Sequence, residues 1–324
     1  MSRAMIDSRV KRVPLSAGGK SGSALERLVL EDGSTLIAKH ISSASDWIMR
    51  ATHDPGRAAL LWTNGVLARV PARIEHAVVE AEREGDGWVV LMRDVSVWLI
   101  PEEINLSREQ SRRVLAALTT LHHAFWGQHI GDLCSLEDRY GFLSPQTSAR
   151  EVGGLDPVPK LIGRGWELFA ELIPEDVSDA VFAILEQPAA LALELGRYEG
   201  TLLHGDPKLG NVGLAEDTVV LIDWGALTGM GPAAVDFAWY LAANATRISA
   251  THDELLEDFR SLYNERHDED CLRLALLGAL VQLGWNKALE AVDNVDEGVR
   301  RREVAHLQWW VARAREGLDV WSPI

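Results

Sequence analysis

An acid and an amide stand five residues apart in His204-Gly205-Asp206-Pro207-Lys208-Leu209-Gly210-Asn211, and a second acid closes the apolar run Val219-Val220-Leu221-Ile222-Asp223-Trp224-Gly225. Val219 to Ile222 is apolar and rich in β-branched residues, so Asp223 falls where a buried strand ends. Asp206 and Asn211 fall on the loop before it. Any fold for this chain must therefore bring one loop and one strand end into register within about twenty residues.

That layout suits one kind of chemistry. A substrate hydroxyl, two magnesium ions and a nucleoside triphosphate held in line need a carboxylate to take the hydroxyl proton and hard oxygens to bind the metal. Asp206 fits the first task, and Asn211 and Asp223 fit the second. Either triplet alone carries little weight, since Asp and Asn are common in turns. The order of H-x-D-x-x-x-x-N, strand and D-x-G in a short span is what carries the expectation of a small-molecule kinase. The competing account makes Asp206 and Asn211 turn residues and Asp223 a strand-end cap. Lys208, two residues past Asp206, is a candidate to neutralise the transferring phosphoryl group, or a surface lysine. His204 lies behind the acid and suits a hydrogen-bonding role.

These two segments resemble the catalytic and metal loops of the aminoglycoside phosphotransferase and choline kinase group, small-molecule relatives of protein kinases. Gly231-Pro232-Ala233-Ala234-Val235-Asp236-Phe237-Ala238 is similar to the stretch in which that group carries a structural Asp. The resemblance implies an α+β, two-lobed, protein-kinase-like fold with ATP and Mg2+ held between the lobes. The small, mostly antiparallel β N-lobe would span residues 1–95. The larger helical C-lobe, residues 96–324, would hold the catalytic and metal loops and the acceptor site. It also implies a nucleotide-binding hinge at Met92, Arg93 and Asp94, near the end of the strand-like run Gly87 to Val95.

The first hundred residues read mostly as strands. Val10–Val13 leads into the glycine cluster Ser16–Ser23, a second run meets the hairpin signal Asp32-Gly33, and Thr35–Ile41 returns. This is the order in which a kinase N-lobe covers the phosphates. Gly18-Gly19-Lys20-Ser21 misses the Walker A pattern, because Pro14 stands where its first glycine belongs and no helix follows. Gly18, Gly19 and Gly22 instead read as a flexible cover whose amides approach phosphates, with a plain hairpin loop as the alternative. Lys39 alternates onto the face of Ile37 and Ile41, where an unpaired ammonium is costly, so it is expected to meet the nucleotide. A helix is expected from Asp54-Pro55 to Leu67. In relatives that helix supplies a Glu for the strand lysine, yet no Glu occurs from Ser42 to Ile74. Asp46 and Asp54 are the candidate substitutes.

Beyond residue 100 the pattern is helical, with expected helices at 108–123, 160–172, 177–195, 235–245, 251–263, 270–290 and 299–317. Gly127 to Pro159 reads as loop-rich. Asp253, Glu254, Glu257, Asp258, Glu265, Asp268, Glu269 and Asp270 form either a solvated face or a rim that attracts an amine-bearing acceptor. Among the twelve tryptophans, Trp224, Trp239, Trp285, Trp309 and Trp310 are candidates for a pocket wall, although large aromatics are more often core.

A net charge of −16 argues against a nucleic-acid surface. The longest apolar stretch, Leu272 to Trp285, is too short to span a bilayer, and no signal-type leader is evident, so a soluble cytoplasmic protein without a membrane partner is expected. Cys134 and Cys271 have no metal-type spacing and read as buried thiols. The expected partner is a small-molecule hydroxyl acceptor: an aminoglycoside, sugar or amino alcohol. Two other readings remain: a kinase-like protein that binds nucleotide without turnover, and a metal-dependent phosphohydrolase using His53-Asp54, His252-Asp253 and His267-Asp268.

Overall fold

The computed structural model describes residues 10–15 and 23–321. Strands β1 (Lys11–Leu15), β2 (Ala24–Val29) and β3 (Thr35–Ile41) are followed by helices α1 (Trp47–Ala51) and α2 (Arg57–Thr63). Then come β4 (Ile74–Glu75), β5 (Val78–Glu84) and β6 (Gly87–Arg93). The main sheet has the order β1-β2-β3-β6-β5, antiparallel throughout. Its two faces differ, as period-2 alternation requires. Leu28, Ala38, Val89 and Leu91 form a small cluster on one side, while Ile41, Val78 and Val90 join the main core on the other.

Helix α2 starts later than Asp54-Pro55 predicts. Gly56 is its N-cap at φ +102, and Asp54 Oδ1 accepts from the N–H groups of Gly56 at 2.8 Å and Arg57 at 2.6 Å. Asp54 thus serves the helix start from two residues upstream. Helix α1 has no counterpart among the expected elements; Asp46 caps it by accepting from Ile48 N and Met49 N.

The remainder is mostly helical. After β7 (Leu106–Ser107) come α3 (Arg108–Ala124), α4 (Leu136–Gly141), α5 (Pro145–Glu151), α6 (Val158–Leu172), α7 (Glu175–Glu186) and α8 (Pro188–Leu195). The loop-rich stretch therefore holds two short helices, capped by Ser135 and Ser144. The single helix expected over 177–195 is two. Pro188 lacks an N–H and turns Gln187 out of helical geometry, so the chain breaks there.

Four short strands carry the chain past the acids: β8 (Thr201–Leu203), β9 (Val212–Leu214), β10 (Val219–Leu221) and β11 (Gly229–Gly231). They lead to α9 (Ala233–Asn244), β12 (Ile248–Ser249), α10 (His252–Tyr263), α11 (Glu269–Asp293) and α12 (Glu297–Val320). Helix α11 is buried over most of its circumference, as an apolar helix inside a bundle must be. Close packing against α6 depends on Gly165, where an added Cβ would lie 2.3 Å from the carbonyl oxygen of Trp285. Among the described residues no helix is long and apolar enough to cross a membrane.

Candidate active site

Strand pairing puts the two acids together. Strand β8 pairs with β11, and β9 with β10, so the loops carrying Asp206 and Asp223 leave neighbouring strand ends. Leu221 faces Val212 across the β9–β10 pair, and Ile222 N donates to Asn211 O at 2.9 Å. Asp223 is thereby held next to Asn211. Its backbone is left-handed at φ +65, a conformation uncommon for non-glycine residues but better tolerated by Asp than by most.

Asp206 is buried and its carboxylate is fully engaged. Oδ1 accepts from Trp239 Nε1 at 2.9 Å. Oδ2 accepts from Lys208 Nζ at 2.7 Å and from Asn211 Nδ2 at 3.0 Å. The Asn211 amide nitrogen also donates to Asp206 O at 3.0 Å, which leaves the side-chain oxygen of Asn211 available for a ligand.

Lys39 forms an ion pair with Asp223, two groups far apart in the chain. Lys39 Nζ projects from the sheet face it shares with Ile41, as alternation predicts, and β3 pairs it with Leu25 and Val90. The Lys39 ammonium beside Asp223 holds that carboxyl far below the usual carboxylate range, against the effect of burial and with help from Lys208. Burial disfavours the Lys39 ammonium, but the Asp223 charge outweighs it and raises the lysine above its ordinary value, with Asp46 adding to the effect. Lys208 behaves alike: burial opposes its charge, and Asp206 and Asp223 together restore and raise it. The result is a compact set of two ammonium groups and two carboxylates with one amide.

Hydrogen bonds behind the acids fix the loops. Asp236 is fully buried and accepts from His204 N at 2.7 Å and Gly205 N at 2.9 Å. His122 meets the same carboxylate at 3.1 Å and pairs with the Tyr263 hydroxyl. His204 Nε2 donates to Ile222 O at 3.0 Å, since a carbonyl can only accept, and its Nδ1 then accepts from Asp206 N at 3.3 Å. Burial lowers the His204 pKa and keeps the ring neutral, consistent with that role. Asn244 clasps the loop through Leu209 N at 2.8 Å and Pro207 O at 3.1 Å.

Other expected site residues are placed differently. Gly18, Gly19 and Gly22 lie outside the described residues, in the connection between β1 and β2. Met92 and Arg93 end β6 and Asp94 follows it: Met92 packs between two apolar clusters, Arg93 pairs with Glu75, and Asp94 pairs with Arg27 at 3.0 Å. Asp46 is 5% exposed and accepts from Ser23 Oγ at 2.7 Å, so a buried carboxylate does stand near Lys39. Asp54, the other candidate, is committed to the start of α2.

Five of the eight acids in the run are ion-paired, to four arginines. Arg108 meets Glu254, Glu257 and Asp258, Arg112 meets Asp258, Arg260 meets Glu269, and Arg273 meets Asp270. Asp268 caps α11, and Asp253 accepts from Trp309 Nε1. Ion pairs and a helix cap occupy most of these side chains, and the arginines weaken the field argument for an amine-bearing acceptor. The His-Asp dipeptides sit on separate elements, two of their acids serving as helix caps, so they do not converge.

Trp224 is core, its Nε1 donating to Leu221 O, whereas Trp239 reaches Asp206. Sequence reasoning also missed Arg139, a buried residue of α4 whose Nη1 donates to Gly205 O at 2.7 Å. The signal for α4 was the cap pattern Ser135-x-x-Asp138, too short to show a helical period.

The profile of the phosphotransferase enzyme family matches residues 20–275. The choline kinase LicA from Streptococcus pneumoniae is similar in structure, with a TM-score of 0.55 at 13% identity over 96% of this chain and 97% of that one. LicA in complex with AMP gives 0.53 at 13% identity over 95% and 96%. An aminoglycoside phosphotransferase from Alicyclobacillus acidocaldarius subsp. acidocaldarius DSM 446 gives 0.47 at 14% over 97% and 92%. The two LicA likenesses establish the kinase-like arrangement of an antiparallel sheet followed by a helical part. No curated protein sequence matches the chain.

Proposed function

The chain belongs to the phosphotransferase enzyme family, and from that premise we propose that it transfers the terminal phosphoryl group of ATP to a hydroxyl of a small molecule. The observation that carries this reading is the meeting of two bonded sets, Lys39 with Asp223 and Asp206 with Lys208 and Asn211, close enough for Lys208 to feel the Asp223 charge. A family resemblance alone leaves activity open; a proton acceptor, two cations and two hard oxygen donors at one place do not arise from packing needs.

In this reading Asp206 accepts the hydroxyl proton, and Lys208 neutralises charge on the phosphoryl group. Asn211 and Asp223 are the ligands for magnesium: the Asn211 amide nitrogen is already used, which presents its oxygen, and the Asp223 carboxyl stays ionised across the physiological range. When bound, Mg2+ supplies charge neutralisation on the transferring phosphates. Lys39 releases Asp223 to contact the nucleotide, with Asp46 as the buried carboxylate that keeps its charge compensated. Gly18, Gly19 and Gly22 cover the phosphates, and the backbone at Met92, Arg93 and Asp94 receives the base. Residues 1–95 and 96–324 form the two lobes. The AMP complex of LicA supports an adenine nucleotide.

The acceptor belongs to the hydroxylated small molecules, with aminoglycosides, sugars and amino alcohols as the set to test. A screen of ATP consumption across amino sugars, neutral sugars, amino alcohols and antibiotics decides the reading. Acceptor-dependent ADP release supports it. Bound ATP that stays intact with every acceptor favours nucleotide binding without turnover, for which the missing Glu between Ser42 and Ile74 is the motive.

A further inference from the structure

We infer that Trp239 is a positioning residue for the Asp206 carboxylate, locking one of its oxygens so that the other takes the proton. The inference rests on the phosphotransfer reading of the same site. An indole N–H donates and never accepts, so its 2.9 Å bond fixes Asp206 Oδ1 as an acceptor. Of the two partners of Oδ2, Lys208 turns to the phosphoryl group in the proposed reaction and frees a lone pair, while Asn211 Nδ2 keeps its bond. Trp239 has no other task, and its bond stays with Oδ1.

The indole is itself held. It is 6% exposed and packs beside Phe142 at 6.2 Å between ring centroids. The Arg139 guanidinium lies over its face at 5.1 Å, a cation on the electron-rich side of the ring. Arg139 is 1% exposed; its Nη1 donates to Gly205 O, the carbonyl directly before Asp206, and reaches Leu227 O at 3.5 Å beyond Asp223. Gln282 of α11 donates to the carbonyl of Arg139 at 2.9 Å. Three helices, α4, α9 and α11, thus converge on the direction of one carboxylate. A side chain with two free torsions is fixed before substrate arrives, which removes an ordering cost from the reaction step.

The acceptor O–H bond breaks and its proton goes to Oδ2 as the new O–P bond forms. The bond between the terminal phosphorus and the bridging oxygen of ATP breaks, and its electron pair leaves with ADP.

Trp239→Phe tests this, since it keeps a ring in the stack and deletes the donor. We expect kcat to fall about 10-fold or more, as for loss of a hydrogen bond to a charged group, while KM for ATP and acceptor stays within about twofold. A role confined to packing would move both constants with thermal stability. A second measurement needs no turnover: in protein labelled with 15N-tryptophan, the Trp239 indole resonance, assigned through Trp239→Phe, should move upfield in Asp206→Ala. An unmoved resonance, or an unchanged kcat in Trp239→Phe, overturns the inference and leaves the phosphotransfer reading standing. If the wild-type protein turns over no acceptor while the resonance still responds to Asp206→Ala, the phosphotransfer reading fails and the indole–carboxylate contact stands.

Discussion

Lys39 and Asp223, 184 residues apart in sequence, form an ion pair that joins the five-stranded sheet to the end of β10. The strand lysine thus meets a carboxylate at the far strand end, with buried Asp46 adding to the effect on its charge. Lys39→Met keeps the apolar stem and removes the charge. The expected result is a rise in KM for ATP of about 10-fold or more with the protein still folded, because Lys208 remains as a second cation near Asp223. Steady-state kinetics with ATP varied measures it; an unchanged KM would reduce Lys39 to a structural counter-ion.

Asp206→Asn should separate binding from turnover. The amide keeps the size of the side chain and an oxygen for Trp239, but it cannot take a proton. Turnover should fall by roughly 10² to 10⁴, while calorimetry shows nearly unchanged ATP affinity. Equal loss of both would assign Asp206 to metal binding or folding.

Asp223→Ala should abolish magnesium-dependent nucleotide binding, since it removes a carboxylate that neighbours both Lys39 and Asn211 at the strand end. Titration of ATP with and without magnesium is the measurement. A metal effect that survives in the variant would leave Asp223 as a strand-end cap.

The sequence made the acids legible for a physical reason. Asp206, Asn211 and Asp223 sit on short strands and turns close together in the chain, so spacing nearly determines their geometry. Lys39 was legible through strand alternation, though not its partner. Trp239 was read only as a candidate pocket wall and Arg139 not at all, because they reach the loop from helices tens of residues away and their residue types have ordinary places in cores and on surfaces. The long helices α3, α6, α10, α11 and α12 show a full apolar period, and their ends fall within about three residues of expectation. Helices α1, α4 and α5 are too short to repeat a pattern, and only their caps mark them.

Gly205 should tolerate no side chain. Its φ is +92, and an added Cβ would lie 2.0 Å from Leu227 O, a backbone atom that cannot swing away. Gly205→Ala must either strain the turn or part the loop of Asp206 from the segment beyond Asp223. We expect a loss of about 1–3 kcal/mol or more in stability, with a parallel loss of turnover. Gly210→Ala is the stability control, since nothing lies within 4 Å of its added Cβ; urea denaturation of both should show only the first destabilised.

Stability should also fall with acid for a reason away from the site. His252 is 8% exposed, its ring stacked on Trp309 at 4.4 Å and meeting His306 at 4.7 Å. Burial, with the nearby charges of His306 and Lys287, pushes its pKa down to about 3, against the opposing pull of Asp253 and Glu303. The folded protein therefore holds this ring neutral where the unfolded chain would protonate it. Between the unfolded value near 6.5 and the folded value the unfolded state binds more protons, so stability is intact above about pH 6.5 and declines as pH falls toward about 3. The contribution is at most a few kcal/mol. His252→Phe keeps a ring against Trp309 and cannot titrate. Urea midpoints at pH 7 and pH 5 should drop less in the variant than in the wild-type protein; equal drops would show that other groups carry the acid sensitivity.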